Sequence, residues 1–269
     1  MYPVNKTKEK LLRGEYVFGV ALSDIRGITL PSIFANLGFD FLFMDMEHSA
    51  DSFESMCDMI WTARCAGITP IPRVPDPVRF YISRPLDAGA QGVVVPRIET
   101  VEQVDAVVGF CRYPPVGDRG AALGGRHIDY KPTADPKRTL EEANEQVLVG
   151  IQIETAKGLE RVEDLVARPG VDLVFIGPQD LSVALGMPNA YTAPEMDRAI
   201  ERIVVAAGRR GIPVGIQGRN VELAGRWMEM GVRFVVFANA VMLLTQAARA
   251  GIEALREVSN GLKKEASHV

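Results

Sequence analysis

"VLVGIQIETAKGLERVEDLVARPGVDLVFIG", residues 147–177, places two apolar, largely β-branched runs on either side of an amphipathic stretch. In the middle portion, "AKGLERVEDLVAR", apolar residues return at three- and four-residue spacing, the period of a helix with one buried face. The flanking runs are almost continuously apolar, which predicts strands covered on both faces, as in a parallel sheet. The segment therefore reads as strand, helix, parallel strand.

The same unit recurs along the chain. "YVFGVAL", "FDFLFMD", "ITPIPRV" and "GVVVP" precede it, "IPVGIQ" and "RFVVFAN" follow it, and helical stretches such as "FESMCDMIWTARCAG" and "APEMDRAIERIVVAAGRRG" lie between. Eight strand-helix units in one chain of this length predict an α/β fold, the eight-stranded parallel (β/α)8 or TIM barrel. A doubly wound sheet is the alternative. Against it, the first strand-to-helix turn, "ALSDIRGITLPS", has no G-x-G-x-x-G phosphate loop.

The reading is of a single barrel domain over residues 1–269, with 1–13 as an N-terminal extension. A final helix, "AVMLLTQAARAGIEALREV", precedes residues 259–269, read as a flexible tail. The segment 112–146, rich in Pro and Gly at its start, reads as a long loop with either a functional role or that of a surface insertion.

With 269 residues, 47% hydrophobic and 24% charged, the chain can bury a full core. A formal net charge of −4 argues against a surface built for nucleic acid. Cys57, Cys65 and Cys111 are odd in number and widely spaced, so neither a disulfide framework nor a thiolate zinc site is indicated. The N-terminus lacks a signal-peptide core and no apolar run approaches the roughly 20 residues that span a bilayer. A cytoplasmic protein without membrane or nucleic-acid partners is expected.

In such a barrel the active site lies at the C-terminal rim of the strands. Strand two ends in "DMEH", with Asp45, Glu47 and His48; the acids either open the next helix or serve chemistry. Arg73 ends strand three, where a guanidinium either grips a 2-oxo acid or pairs with rim acids. Glu154 and Asp180 end adjacent strands five and six. Singly, each carboxylate is a plausible helix cap; together they suit a hard divalent ion, Mg2+ or Mn2+, that takes its other ligands from water and substrate. Gln152 shares the face of Glu154 by the two-residue strand period. None of the lysines falls in a strand run, which disfavours a Schiff-base mechanism.

"FDFLFMDMEHS", "PIPRVPDP", "LDAGAQGVVVPRIET", "CRYPPVGDRG", "VGIQIETAKGLE" and "VDLVFIGPQDLSVALG" resemble, in order and spacing, the HpcH/HpaI family of metal-dependent pyruvate aldolases, over roughly Gly14 to Leu244. The resemblance implies a (β/α)8 barrel, a homohexamer with an exchanged C-terminal helix, and a divalent ion (Mg2+, Mn2+ or Co2+) with no nucleotide cofactor. It implies cleavage of a 4-hydroxy-2-oxo acid into pyruvate, or a related 2-oxo acid, and an aldehyde.

By position, the resemblance makes Glu154 and Asp180 metal ligands, Arg73 and Gln152 substrate contacts, and Gly177 and Pro178 the turn that meets the substrate carboxylate. His48 with Asp45 matches an acid-base pair, and Asp87 an aspartate that approaches a neighbouring subunit's site. The chain departs from the family pattern at Ala21, where relatives often carry Trp, and at Gln217, where many carry an aliphatic residue. Those departures imply a roomier, more polar aldehyde pocket. A lyase of citryl- or malyl-type coenzyme A thioesters, an oxaloacetate decarboxylase and a noncatalytic ligand-binding barrel are the competing readings.

Overall fold

Every residue of Leu148–Ile153 is buried, which fits a strand packed on both faces. Its side chains sort by parity: Val149, Ile151 and Ile153 face an outer core shared with the helices, whereas Leu148 joins a separate inner core. The same division runs through the sheet, so the strands enclose one apolar core and carry a second on their outside. In this computed structural model residues 2–266 are described, side chains through 263.

The strands are β1 (Val17–Leu22), β2 (Phe41–Asp45), β3 (Thr69–Arg73), β4 (Gly92–Val95), β5 (Leu148–Ile153), β6 (Leu173–Ile176), β7 (Val214–Gly218) and β8 (Phe234–Asn239). All pair in parallel with their sequence neighbours, and β8 returns to β1 to close the barrel. The expected (β/α)8 architecture is what forms. The helices are α1 (Lys6–Leu12), α2 (Leu30–Asn36), α3 (Phe53–Ala66), α4 (Arg79–Asp87), α5 (Val101–Cys111) and α6 (Pro136–Gln146). They continue with α7 (Ala156–Glu160), α8 (Val162–Val166), α9 (Pro178–Ala184), α10 (Pro194–Gly208), α11 (Val221–Glu229) and α12 (Ala240–Ala266).

Aromatic rings fill the barrel and form the floor beneath its mouth. Phe41 stacks on Phe234 at 3.9 Å and Phe43 on Phe175 at 4.9 Å between centroids, while Phe175 meets Phe234 edge-on at 6.1 Å. Gly19 makes room for this layer, because a Cβ there would run into the Phe41 ring. Between β1 and β8 the register slips: Gly19 opposes Val236 but Ala21 opposes Asn239. This bulge, with Ala238 at φ 53°, brings Asn239 to the cavity at the mouth.

Four expectations gain detail from the structure. The N-terminal extension expected over 1–13 carries α1, which seals the N-terminal end of the barrel, with Leu11 in the inner core and Thr7 Oγ1 donating to Thr69 Oγ1 at 2.7 Å. Asn5 caps that helix through Lys8 N and also donates to the Gln91 and Gln146 carbonyls. The segment 112–146 contains α6, opened by Asp135, whose side chain accepts from Arg138 N. Because Leu140 and Ala143 are the apolar side chains of α6 that pack inward, and the helix is otherwise mostly polar, its weak apolar stripe reads as loop. The stretch after β5 is two short helices, broken at Arg161, rather than one.

The fourth concerns the tail expected over 259–269, which is helical as far as Ala266, while residues 267–269 lie outside the described residues. Helix α12 runs 27 residues to Ala266, through the expected stop at Ser259–Gly261. A single interior glycine costs about 1 kcal/mol, too little to end a long helix. Leu244, Ile252, Leu255, Val258 and Leu262 are exposed along it. Among the described residues no helix is long and apolar enough to cross a membrane.

Candidate active site at the barrel mouth

Parity delivers the rim side chains. On β2, Phe41 and Phe43 point inward, so Asp45 follows them to the mouth. Asp45 is buried and does three things at once. Its Oδ1 accepts the backbone N–H of Glu47 at 3.0 Å and of His48 at 3.2 Å, fixing the turn after the strand. Its two oxygens also receive Arg73, Nε to Oδ1 at 3.1 Å and Nη2 to Oδ2 at 2.6 Å. Arg73 Nη1 lies 3.1 Å from Glu47 Oε2, so two rim acids hold one guanidinium.

This corrects the expected pairing of His48 with Asp45. Asp45 holds the His48 backbone, not its ring; the ring is 62% exposed, and its carboxylate neighbour is Glu47, 3.9 Å from Nε2. Burial pushes the Glu47 carboxyl above the usual range, against the opposing pull of Arg73.

Glu154 continues the inward face of β5 and is only 2% exposed. Gln152 Nε2 donates to its Oε2, and the backbone N–H of Arg97 donates to its Oε1 at 2.8 Å. Arg97 is left-handed, φ 55°, which turns that N–H toward the carboxylate. Burial pushes the Glu154 carboxyl up to about 7; the Gln152 and Arg97 hydrogen bonds oppose this, while Glu47 and Asp180 add repulsion. The carboxylate is thus short of positive charge.

Gly177 packs directly on this group. A Cβ there would collide with Glu154 Oε2 and come within 2.8 Å of Gln152 Nε2. Asp180 stands in the first turn of α9, half-buried, with neither a hydrogen bond nor an ion pair among the described residues.

Neither acid is a helix cap. Thr155 caps α7, its Oγ1 accepting from Gly158 N, and the cap position of α9 is Gly177. The donor set fits a hard divalent ion: one buried, charge-starved carboxylate, one unengaged carboxylate nearby, and a glycine cradle beside them. Among the described residues no group of three His, Cys, Asp or Glu side chains that could hold a metal ion is found.

Asp87 is the expected site residue that this mouth does not include. It ends α4, where the chain returns to the opposite end of the barrel to begin β4, and pairs with the buried Arg119 at 2.6 Å. Lys157 forms an ion pair with Glu99 at 3.2 Å on an exposed helix start.

A cavity of about 300 Å3 opens over the Phe175 floor, lined by His48, Arg73, Gly177, Pro178 and Asp180 on one side. Its other wall comes from residues the sequence reading did not single out as site residues: Gln179, Tyr191, Arg219, Trp227 and Asn239. Arg219 stands two positions beyond Gln217 and could have been marked from the rim rule. Tyr191 and Trp227 arrive from a loop and from α11, for which no local pattern exists.

The profile of the HpcH/HpaI aldolase/citrate lyase family matches residues 28–264. A hydroxypyruvate/pyruvate aldolase of Paraburkholderia phytofirmans is 33% identical over 94% of this chain and 98% of its own length. The 2-dehydro-3,6-dideoxy-6-sulfogluconate aldolase of Pseudomonas putida is 36% identical over 81% of this chain and 85% of its own. Among solved structures, the HpcH/HpaI aldolase from Desulfitobacterium hafniense superposes with a TM-score of 0.88 at 29% identity, covering 93% of this chain and 96% of that one. With barrel, rim acids and sequence in agreement, this chain belongs to the HpcH/HpaI aldolase/citrate lyase family.

Proposed function

We propose that this protein reversibly cleaves a 4-hydroxy-2-oxo acid into pyruvate, or a related 2-oxo acid such as hydroxypyruvate, and an aldehyde, with the help of Mg2+, Mn2+ or Co2+. The observation that carries the reading is Glu154: a carboxylate buried against Gly177, with other acids nearby, is costly unless a cation joins it. The curated relatives' pyruvate aldolase names support the reaction class.

Glu154 and Asp180 hold the ion. When bound, it supplies Lewis-acid polarisation of the 2-oxo group and so eases loss of a proton from the neighbouring carbon. Gln152 fixes one oxygen of Glu154 through its amide, and the Gly177–Pro178 turn receives the carboxylate of the keto acid. Arg73 has five N–H donors; two are bonded to Asp45 and one faces Glu47, which leaves two for the oxygen where negative charge gathers. His48, exposed over the cavity, takes the proton of the 4-hydroxyl during cleavage and returns it during addition.

The active form is a homo-oligomer, a hexamer by family resemblance. The exposed apolar face of α12 is what a second subunit covers, and Asp87, braced by Arg119, approaches a neighbour's mouth. The three unpaired cysteines suit a reducing cytoplasm.

The test is direct. After prolonged dialysis against EDTA, pyruvate or hydroxypyruvate and a panel of aldehydes should give no aldol product, and added Mn2+, Mg2+ or Co2+ should restore it. Turnover persisting in excess chelator, or no carbon–carbon bond formed with any aldehyde, overturns the reading.

A further inference from the structure

At the end of the barrel opposite the mouth, four polar side chains from separate segments meet out of water. Tyr2 comes from the start of the chain, Tyr113 and Arg119 from the segment after α5, and His127 from a single 3-10 turn, Arg126–Ile128. Each is at most 2% exposed. The Arg119 guanidinium carbon lies 4.6 Å from the centroid of the Tyr113 ring, and the Tyr2 and His127 rings are 6.4 Å apart. Backbone contacts fix three of the four: Tyr2 N donates to Glu142 Oε2 at 2.7 Å, Tyr113 N to Asn144 Oδ1 at 2.7 Å, and Arg119 N to the Arg112 carbonyl at 2.8 Å.

The polar atoms of this cluster are mostly unanswered. Arg119 Nη2 donates to Asp87 Oδ1 at 2.6 Å. The two tyrosine hydroxyls, Arg119 Nε and Nη1, and both His127 nitrogens have no hydrogen-bond partner among the described residues. Tyr2 lies beside Arg119 and His127 beside the Asp87 backbone, yet neither approach has the geometry of a hydrogen bond. Burial, reinforced by Arg119, holds the His127 imidazole below its ordinary range, so at neutral pH it offers one N–H. Buried donors without acceptors are costly.

The charges nearby are arranged unevenly. Arg119 is fully buried at its side chain while its partner Asp87 is 38% exposed, and Arg64, close enough to act on Tyr2 and His127, is 6% exposed against 31% for its partner Asp129. Water screens the acids more than the guanidiniums, which leaves the interior of the cluster positive. An occupant that only accepts hydrogen bonds matches a set that mainly donates them; a water molecule would turn two hydrogens of its own toward N–H groups.

We infer that Arg119, Tyr2, Tyr113 and His127 form a buried site for one small inorganic anion of halide size, which ties the start of the chain to α4 and to the segment after α5. The near-complete burial of the four side chains limits the occupant to that size. The site is independent of the reaction at the mouth.

The experiment is a set of thermal melts of the full-length protein in sodium methanesulfonate, with sodium chloride substituted at constant ionic strength. An ion bound only by the folded state stabilises it by mass action, so each tenfold rise in chloride above half-saturation should raise the parent's melting temperature by about 3–5 °C. Tyr2→Phe and Tyr113→Phe each remove a hydroxyl with no partner in the protein. Without chloride they should melt no lower than the parent, and with it their apparent chloride affinity should fall about tenfold or more. Arg119→Met should abolish the chloride response; if that variant does not fold, the two tyrosine variants decide. A crystal grown in sodium bromide should show an anomalous peak among the four side chains.

A melting temperature indifferent to chloride overturns the inference. So does a chloride response of the same size in the parent and both tyrosine variants, which would mark a general salt effect. An ordered water in place of the bromide peak does the same.

Discussion

Gly177 and Glu154 are in such close contact that a methyl group on residue 177 would overlap the carboxylate oxygen of residue 154. The glycine is not there for backbone freedom: its φ of −88° suits any residue. What matters is the space it leaves for a buried acid at the end of β5.

Gly177→Ala should therefore displace Glu154 while leaving the barrel closed. Displacing a reacting or ligating group by about 1 Å costs on the order of a hundredfold in rate, with a stability loss of about 1–3 kcal/mol from overpacking. Mn2+ calorimetry and aldol turnover on the folded variant check this. Unaltered affinity and turnover would show that Glu154 does not depend on the cradle.

Glu154 also predicts a pH dependence for the metal-free protein. Its carboxyl is raised from near 4.5 to about 7, so the folded state keeps a proton that the unfolded chain has already released. The associated stability is fully present below pH ~4.5 and is lost as pH rises through ~7, a change on the order of 3 kcal/mol. Glu154→Gln does not titrate there. In EDTA, the variant's melting temperature relative to the parent should rise between pH 5 and pH 8, and saturating Mn2+ should narrow the gap at pH 8 by stabilising the parent. A difference that stays flat across the range would mean that Glu154 is charged and compensated in the metal-free protein.

His48 and Asp45 should separate cleanly, because the acid grips Arg73 and the backbone rather than the imidazole. His48→Ala removes an exposed ring, so stability should change by less than about 0.5 kcal/mol, while aldol turnover falls by roughly two to four orders of magnitude. Asp45→Ala breaks a buried ion pair, costing about 3–5 kcal/mol, and releases Arg73 as well. Urea titrations beside turnover assays distinguish the two. Equal stability losses would restore the direct pairing of acid and ring.

The sequence by itself determined the barrel, because its cause is local and repeated. An apolar run buried on both faces, followed by a helix-period stretch, has few ways to satisfy its backbone and hide its surface, and eight such units close on themselves. Strand parity also placed Asp45, Arg73, Gln152 and Glu154 at one mouth, since the two-residue alternation holds wherever a strand is regular. Where regularity fails, the pattern was silent: the β8 bulge that brings Asn239 to the cavity and the break at Arg161 depend on pairing with distant strands and helices. Helices α1 and α6 were missed because their burial comes from a few residues against the barrel's end, too few to set a period.

Only the tertiary structure decided partners. Whether Arg73 faces acids or substrate, whether Glu154 caps a helix or lies against Gly177, and whether Arg119 has a counter-charge are questions of distance between segments far apart in the chain. Electrostatic energy depends on those separations and on the water excluded between them, and neither is written in residue order.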